Sequence, residues 1–416
     1  LDAVKRGKVF GWAWEPASSE PTNVELLVDA QVVAVGRANL FRPDLEQAGI
    51  GDGHAGFAIE IPPLLCDLKF HEVAVRAGRN RIQLNGSPRV EQLVGPLNEV
   101  EFFAGGTWID SDDATFEAGL ARLRSAESLN NAELQQFRDF RRDGYVWLRQ
   151  VVDPSLIDAV ERDISRLWRD RPNMLTQSAG EAPRQVRTVE DERAYRARSA
   201  RYLDFHNLSE ATAAILCHPV VVRFVRRYLG EPIAGMQTLL FENGTQQRAH
   251  QDYPYVHSLR PAALAGAWVA LEKVSENAGP LFYFAGSHRA VRPYAFDGGS
   301  VLAEGDGEHI RLYERYLEET CAGLGLRRET LLAERGDVLI WHSALVHGGS
   351  ARKDLTLTRR SLVSHYTTQA AYPFDRRTPS MAPIPIRVGD CVYYANQQPD
   401  HVEGAFKLRQ SGGISA

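Results

Sequence analysis

Cysteine is scarce in this chain: there are four in 416 residues, Cys66, Cys217, Cys321 and Cys391, with no C-x-x-C pair among them. Their scatter excludes a disulfide-stapled scaffold and suits a reducing cytosol. Long apolar runs are missing as well. No stretch approaches the roughly 18 residues of a membrane span, and the N-terminus lacks a charged-then-apolar export signal. An excess of either charge is also absent. The net charge is -5, with basic and acidic residues mixed along the chain, so no basic face is offered to nucleic acid. The chain opens with Leu1, and a longer native N-terminus is expected.

What the sequence does contain is enough apolar content, 44%, to build two domains with their own cores. From residue 7 to 95, KVFGWAWEP, NVELLVDAQVVAVGRAN, HAGFAIEIP and HEVAVRAG are short alternating runs separated by Pro, Gly and Asp turns. That pattern predicts a small β-sandwich over residues 1–95, interrupted only by a turn at Arg42-Pro43-Asp44-Leu45. A linker around Leu97 to Asp113 and a helix make up residues 96–130, and a larger domain fills 131–416. There Asp153 caps and Pro154 opens a helix carrying Leu156, Val160, Ile164 and Leu167 at helical spacing. Leu120, Leu123, Leu129 and Leu134 fit helical faces too. Residues 169–204, rich in Arg and Glu and without periodicity, are expected to form a loop over the mouth of the site.

The chemistry concentrates in two places. His250 and Asp252 stand two residues apart in RAHQDYPYV, and His347 follows in VLIWHSALVHGGS. Two imidazoles and one carboxylate are the ligand set of a non-haem Fe(II) site, which leaves one face of the octahedron open. On a strand, residues i and i+2 share a side, so His250 and Asp252 would converge, with His347 arriving from the opposing side of a barrel. Alone the H-x-D pattern is weak, because with twelve His in the chain it arises about once by chance. His401-Val-Glu403 is another match, set aside because no His lies downstream of it. The first match gains weight from its surroundings. WVALEKVSENAGPLFYF reads as a hairpin, Gly336-Asp337 as a turn, and TRRSLVSHYT as a strand opening with Arg359 and Arg360. A fixed guanidinium after the last ligand suits the far carboxylate of 2-oxoglutarate, and alternation lets only one of the two arginines face inward.

These pieces, in this order from about Phe137 to Tyr366, resemble the phytanoyl-CoA dioxygenase family of Fe(II)/2-oxoglutarate oxygenases. The resemblance implies that His250, Asp252 and His347 ligate iron, that Arg359 binds 2-oxoglutarate, and that Trp268 and Gln251 line it. Ser350 matches a serine of that family, although HGGS is one residue longer than the family's HGS, which keeps Arg360 as the alternative to Arg359. His342 is read as a packed or hydrogen-bonded histidine, and His257, His288 and His365 as structural or as neighbours of the ligands. The N-terminal pattern, GWAWEP followed by RPDLEQAGIGDGHAGFAIEIP, resembles a β-sandwich module found beside glycan-related bacterial enzymes. A cytoplasmic, bacterial location follows as an expectation.

The expected architecture is mainly β with some α: a double-stranded β-helix, or jelly roll, with flanking helices and the small N-terminal sandwich. The expected activity is hydroxylation of a C–H bond in a small-molecule, lipid-linked or glycan-related substrate, using Fe(II), 2-oxoglutarate and O₂ and releasing succinate and CO₂. The Asp252 carboxylate fills the position that halide takes in related halogenases, so hydroxylation or desaturation is expected instead of halogenation. A zinc hydrolase with the same ligands and an inactive jelly-roll binding protein are the competing readings. Tyr253, Tyr255, Tyr202, Phe205 and His206 are candidates for lining the substrate pocket.

Overall fold

The structure is a computed structural model that describes residues 1–5, 7–16, 18–62, 65, 70–93, 107–170, 175–178, 184–185, 201–256, 258–294, 307–373 and 385–394. The chain divides into two compact units, one of residues 1–100 with 292–324, the other of 101–291 with 325–416. This division places 292–324 with the first unit, whereas the sequence-based boundaries keep that segment in the last domain.

The first unit carries β1 (Ala3–Lys5), β2 (Lys8–Trp12), β3 (Thr22–Val28), β4 (Gln31–Ala38), β5 (Leu40–Phe41), β6 (His54–Glu60), β7 (Phe70–Ala77), β8 (Ile82–Gln83) and β9 (Arg89–Gln92). They form one sheet in the order β1-β2-β6-β5 and another in the order β4-β3-β7-β8, with β9 on β7. Alternation turns Val9, Phe57 and Ile59 of one sheet and Val24, Leu26, Val73 and Val75 of the other into the core. The expected turn at Arg42–Leu45 is a short helix, Pro43–Gln47, with proline in its first turn.

In the second unit the strands are β10 (Tyr145–Leu148), β11 (Thr176–Ser178), β12 (Arg184–Gln185), β13 (Arg201–Leu203), β14 (Ile233–Phe241), β15 (Leu264–Ala270), β16 (Leu281–Phe284), β17 (Arg328–Thr330), β18 (Val338–His342), β19 (His347–Gly349), β20 (Ser361–Thr368), β21 (Pro385–Val388) and β22 (Cys391–Tyr394). A large sheet runs β10-β18-β15-β20-β14-β13-β11-β12, with β22 joining β14 and β21 joining β22. A small sheet runs β17-β16-β19. Together they make the jelly roll that the sequence predicts.

Every residue of β15 is buried, because helices cover one face and the interior of the roll the other. Ala265, Ala267 and Val269 meet the helical layer, with Phe140 and Val225 in the same cluster. Trp268 turns the opposite way, toward Trp341, Val363, Leu281 and Tyr283. Small residues under the helices and a large one inside explain why the strand reads as a continuous apolar run. The expected hairpin between β15 and β16 is not formed. Both edges of β15 are already taken by β18 and β20, so the connection crosses from the large sheet to the small one. Short strands also occupy part of the expected 169–204 loop, where β11, β12 and β13 lengthen the large sheet; residues 171–174, 179–183 and 186–200 lie outside the described residues. The same holds for Cys66, His257, His401, Glu403 and residues 97–106 of the expected linker. Among the described residues, no helix is long and apolar enough to cross a membrane.

The helix Pro154–Asp170 starts as its sequence indicates, with Ser155 N donating to Asp153 Oδ1 at 2.7 Å. The helix Asn131–Asp143 ends at Gly144, which has φ +83° and donates its N–H to Phe140 O at 2.7 Å. A Cβ on residue 144 would lie 2.5 Å from His288 Nδ1. Gly144→Ala therefore combines a left-handed backbone with a clash, and it should lower unfolding free energy by about 1–3 kcal/mol. Urea melts check this, and an unchanged midpoint would contradict it.

Candidate active site

The site is built from a pair of backbone hydrogen bonds. His250 N donates to His347 O and His347 N to His250 O, both at 2.9 Å, so the two residues face each other across an antiparallel bridge at the margin of the small sheet. Directly opposed residues in such a pair point to the same face, and the two imidazole centroids are 4.3 Å apart. Two sequence-based details are corrected here. His347 does not come from the opposing side of the roll but from the strand bonded to His250. Asp252 is not on a strand with His250, since it begins a turn in which Tyr255 N and Val256 N donate to its carbonyl. A third bond, from Asp252 N to Ser343 O at 2.9 Å, aims its side chain at the imidazoles.

One ligand atom from each of His250, Asp252 and His347 lies within 4.8 Å of the others. The surroundings also fix which atoms are offered. His250 Nδ1 is 2.9 Å from Arg248 O, and His347 Nδ1 is 2.9 Å from Leu345 O. A carbonyl accepts only, so both Nδ1 atoms carry the proton and both Nε2 lone pairs are free for a metal. Burial, with His347 alongside, pulls the pKa of His250 down to about 3 against the opposing pull of Asp252. Burial alone would raise Asp252, but the imidazoles of His347, His365 and His250 outweigh it and hold its pKa below the ordinary carboxylate value. Two neutral imidazole nitrogens and one carboxylate converging at one point fit a divalent cation.

Arg359, just ahead of β20, is 2% exposed, and among the described residues its Nε lacks a hydrogen-bond partner. Its guanidinium carbon stands 5.7 Å from the Trp268 ring and 6.0 Å from the Phe241 ring. Burial lowers its pKa to about 10, with Glu272 opposing. Arg360 faces the other way and pairs with Glu161 at 2.7 Å and Glu272 at 3.4 Å. Trp268 is buried with its indole N–H unpartnered. Gln251 is buried and donates to Ala344 O at 2.7 Å. Ser350 is partly exposed, and its hydroxyl accepts from Arg328 at 3.1 Å.

The pocket-lining candidates separate. Tyr255 stands edge-on to His250 at 5.8 Å between centroids, and Tyr253 is buried beside Asp252. Tyr202 and Phe205 instead belong to the layer between sheet and helices, and His206 is buried with its Nδ1 2.9 Å from Thr238 Oγ1. Alternation along β13 is the reason, since it sends Tyr202 outward and Arg201 inward. Arg201 lies opposite Phe241, and its Nε is buried without a partner. Sequence reading missed Arg201 because its strand is only three residues long. His342 is structural, as expected: its Nδ1 accepts from Ala344 N at 3.0 Å and its Nε2 is 3.2 Å from Asp110 Oδ1.

Two imidazoles and a carboxylate converging inside a jelly roll, in a fold that also buries an arginine without an ion-pair partner among the described residues, define the class: non-haem iron oxygenases that use 2-oxoglutarate. The family description "Phytanoyl-CoA dioxygenase (PhyH)" matches residues 140–360, more than half of the chain. The chain belongs to the phytanoyl-CoA dioxygenase family. Peroxisomal phytanoyl-CoA dioxygenase of Bos taurus is 21% identical over 275 residues, covering 63% of this chain and 77% of that protein. The Homo sapiens protein is 26% identical over 170 residues, 38% of this chain and 46% of that one. Among solved structures, the non-heme alpha ketoglutarate dependent epimerase SnoN from nogalamycin biosynthesis is 20% identical with a TM-score of 0.43, covering 68% of this chain and 100% of its own. EctD from S. alaskensis, solved with 2-oxoglutarate and 5-hydroxyectoine, is 19% identical with a TM-score of 0.42, covering 57% and 76%. The family match does not reach the N-terminal sheets, and nothing in these matches ties them to glycan-related enzymes.

The buried imidazoles make the metal-free fold sensitive to acid. His250 and His288 are both held at about 3 by burial, far below the ordinary 6.5 of the unfolded chain. The unfolded chain therefore binds protons that the folded one refuses, and stability is complete above 6.5 and declines as pH falls toward 3. Urea midpoints of metal-free protein should drop across that window, and a flat profile would contradict neutral buried rings.

Proposed function

We propose that this enzyme oxidises a C–H bond of a small molecule, with His250, Asp252 and His347 holding Fe(II) and Arg359 binding the far carboxylate of 2-oxoglutarate. One observation carries the reading: Arg359 is buried without an acidic partner among the described residues, against Trp268 in the apolar cluster that also holds Trp341, the neighbour of His347, a position whose desolvation an anionic ligand offsets. Arg201, opposite Phe241 and with its Nε buried and without a hydrogen-bond partner among the described residues, adds to the positive field for a dicarboxylate. Iron, when bound, supplies the activation of O₂ coupled to decarboxylation of 2-oxoglutarate to succinate.

The chain's own residues bind, orient and exclude. Trp268 lies against the guanidinium of Arg359 and walls the cosubstrate, while Gln251, pinned to Ala344 O, packs behind the ligands. Ser350 is proposed as a further cosubstrate contact, on the motif alone. The Asp252 carboxylate takes the ligand position that a halide would need, which favours hydroxylation or desaturation over halogenation. For the substrate, lipid-linked and glycan-related small molecules are the classes to test. The name of the curated relatives supports the first, and the N-terminal sequence pattern alone supports the second. A zinc hydrolase would leave Arg359 and Trp268 without a role.

The decisive assay is succinate formation dependent on Fe(II) and 2-oxoglutarate. Alanine at His250, Asp252 or His347 should abolish it and weaken metal binding at least tenfold or so, as read by anaerobic Fe(II) titration. Retained turnover in any one of the three would refute the triad. Arg359→Lys should raise the KM for 2-oxoglutarate on the order of tenfold through loss of the bidentate fork, and Arg360→Lys should leave it unchanged. The reverse pattern would move the cosubstrate role to Arg360.

A further inference from the structure

Four residues on adjacent strands form one row across the large sheet. Trp341 of β18 lies opposite Gly266 of β15, Gly266 opposite His365 of β20, and His365 opposite Gln237 of β14. Cross-strand partners share a face, and this face meets Asp252. The Trp341 indole N–H donates to Asp252 Oδ2 at 2.6 Å. His365 Nε2 stands 3.3 Å from the same oxygen, while its Nδ1 is 3.0 Å from Gln237 Nε2. Asp252 Oδ1 is turned away from the row, 3.6 Å from His347 Nε2. The two oxygens of one carboxylate therefore have separate engagements, one with the sheet and one with the ligand cluster.

Gly266 is what admits the indole. A Cβ at that position would lie 2.4 Å from Trp341 Cε2 and 2.6 Å from its Cζ2 and Nε1, so the ring occupies the space a side chain would fill. Trp341 is 2% exposed, and an indole can only donate, so its bond commits Oδ2 for as long as the ring stays in place.

We propose that Trp341, seated on Gly266 and seconded by His365, is a positioning residue that makes Asp252 a single-oxygen ligand. This rests on the triad as the metal site. With Oδ2 held by the sheet, only Oδ1 faces the Nε2 atoms of the histidines, and the carboxylate cannot chelate the ion. A chelating carboxylate would occupy the coordination position left after three protein ligands and a two-point cosubstrate. The row thus keeps a position open, and it does so through a neighbour of the ligand, a kind of support that commonly sets metal affinity.

The test uses Co(II) in place of Fe(II), because its visible bands report coordination number independently of turnover. Wild type, Trp341→Phe, Gly266→Ala and Asp252→Ala are compared for Co(II) affinity, visible spectrum and thermal stability without metal. Trp341→Phe keeps an aromatic ring of smaller size and removes the donor. Its Kd for Co(II) should rise by about tenfold or more and its spectrum should change in shape and intensity. Gly266→Ala, which displaces the indole without removing its N–H, should move both readouts the same way. If Trp341→Phe binds Co(II) with wild-type affinity and spectrum, the positioning role is overturned and the triad stands, even where metal-free stability falls. If Asp252→Ala binds as wild type does, the triad reading is overturned and this inference with it.

Discussion

The two hydrogen bonds between the backbones of His250 and His347 are the constraint on which the rest of the site depends. They are ordinary ladder bonds of 2.9 Å, yet they set the spacing and common direction of two imidazoles without any metal to gather them. Residues 97 positions apart in the chain are thereby made neighbours at about 5.5 Å between Cα atoms. The carbonyls of Arg248 and Leu345, two residues before each histidine, then fix the ring tautomers. Each histidine is thus oriented twice, once by its own peptide and once by the peptide two residues upstream. The ligand atoms are preorganised, and little ordering remains to oppose ion binding.

This preorganisation carries a cost in burial. Asp252, His250, His347 and Arg359 are all nearly inaccessible to water, and a charge in such a place is unfavourable unless it is met. Asp252 is met by Trp341 and the imidazoles. Among the described residues, the Arg359 guanidinium is met by the faces of Trp268 and Phe241 and, at longer range, by the charge of Glu272, which offset part of the penalty. The buried arginine is therefore the less well compensated of the two opposite charges at this end of the roll.

Much of this was legible in the sequence, and the illegible parts have physical reasons. The convergence of His250, Asp252 and His347 and the jelly roll follow from motif order. The helix at Pro154 follows from its cap and period. The strand pairing of His250 with His347 does not, because a single bridge leaves no alternating pattern in either segment. The passage of the chain from β15 to β16 reads like a hairpin, since local turn residues look alike whether the next strand joins the same sheet or another. Trp341 reads as core, and only the register that sets it across Gly266 reveals its bond to Asp252. Arg201 is hidden by the shortness of β13.

Arg359 and Arg360 are consecutive, and their side chains leave the backbone on opposite sides: one into the roll, the other to Glu161 of the helix Pro154–Asp170 and to Glu272 beyond β15. Their main chain is pinned too, Arg359 N to Glu242 O at 2.8 Å and Arg360 N to Glu272 Oε1 at 2.6 Å. A single stretch of backbone is thus the shared hinge pin of an outer ion-pair cluster and an inner, buried guanidinium. Sequence drift in the helical layer is consequently not free to follow packing alone, because any change that re-seats Glu161 tugs on the peptide from which the buried guanidinium hangs.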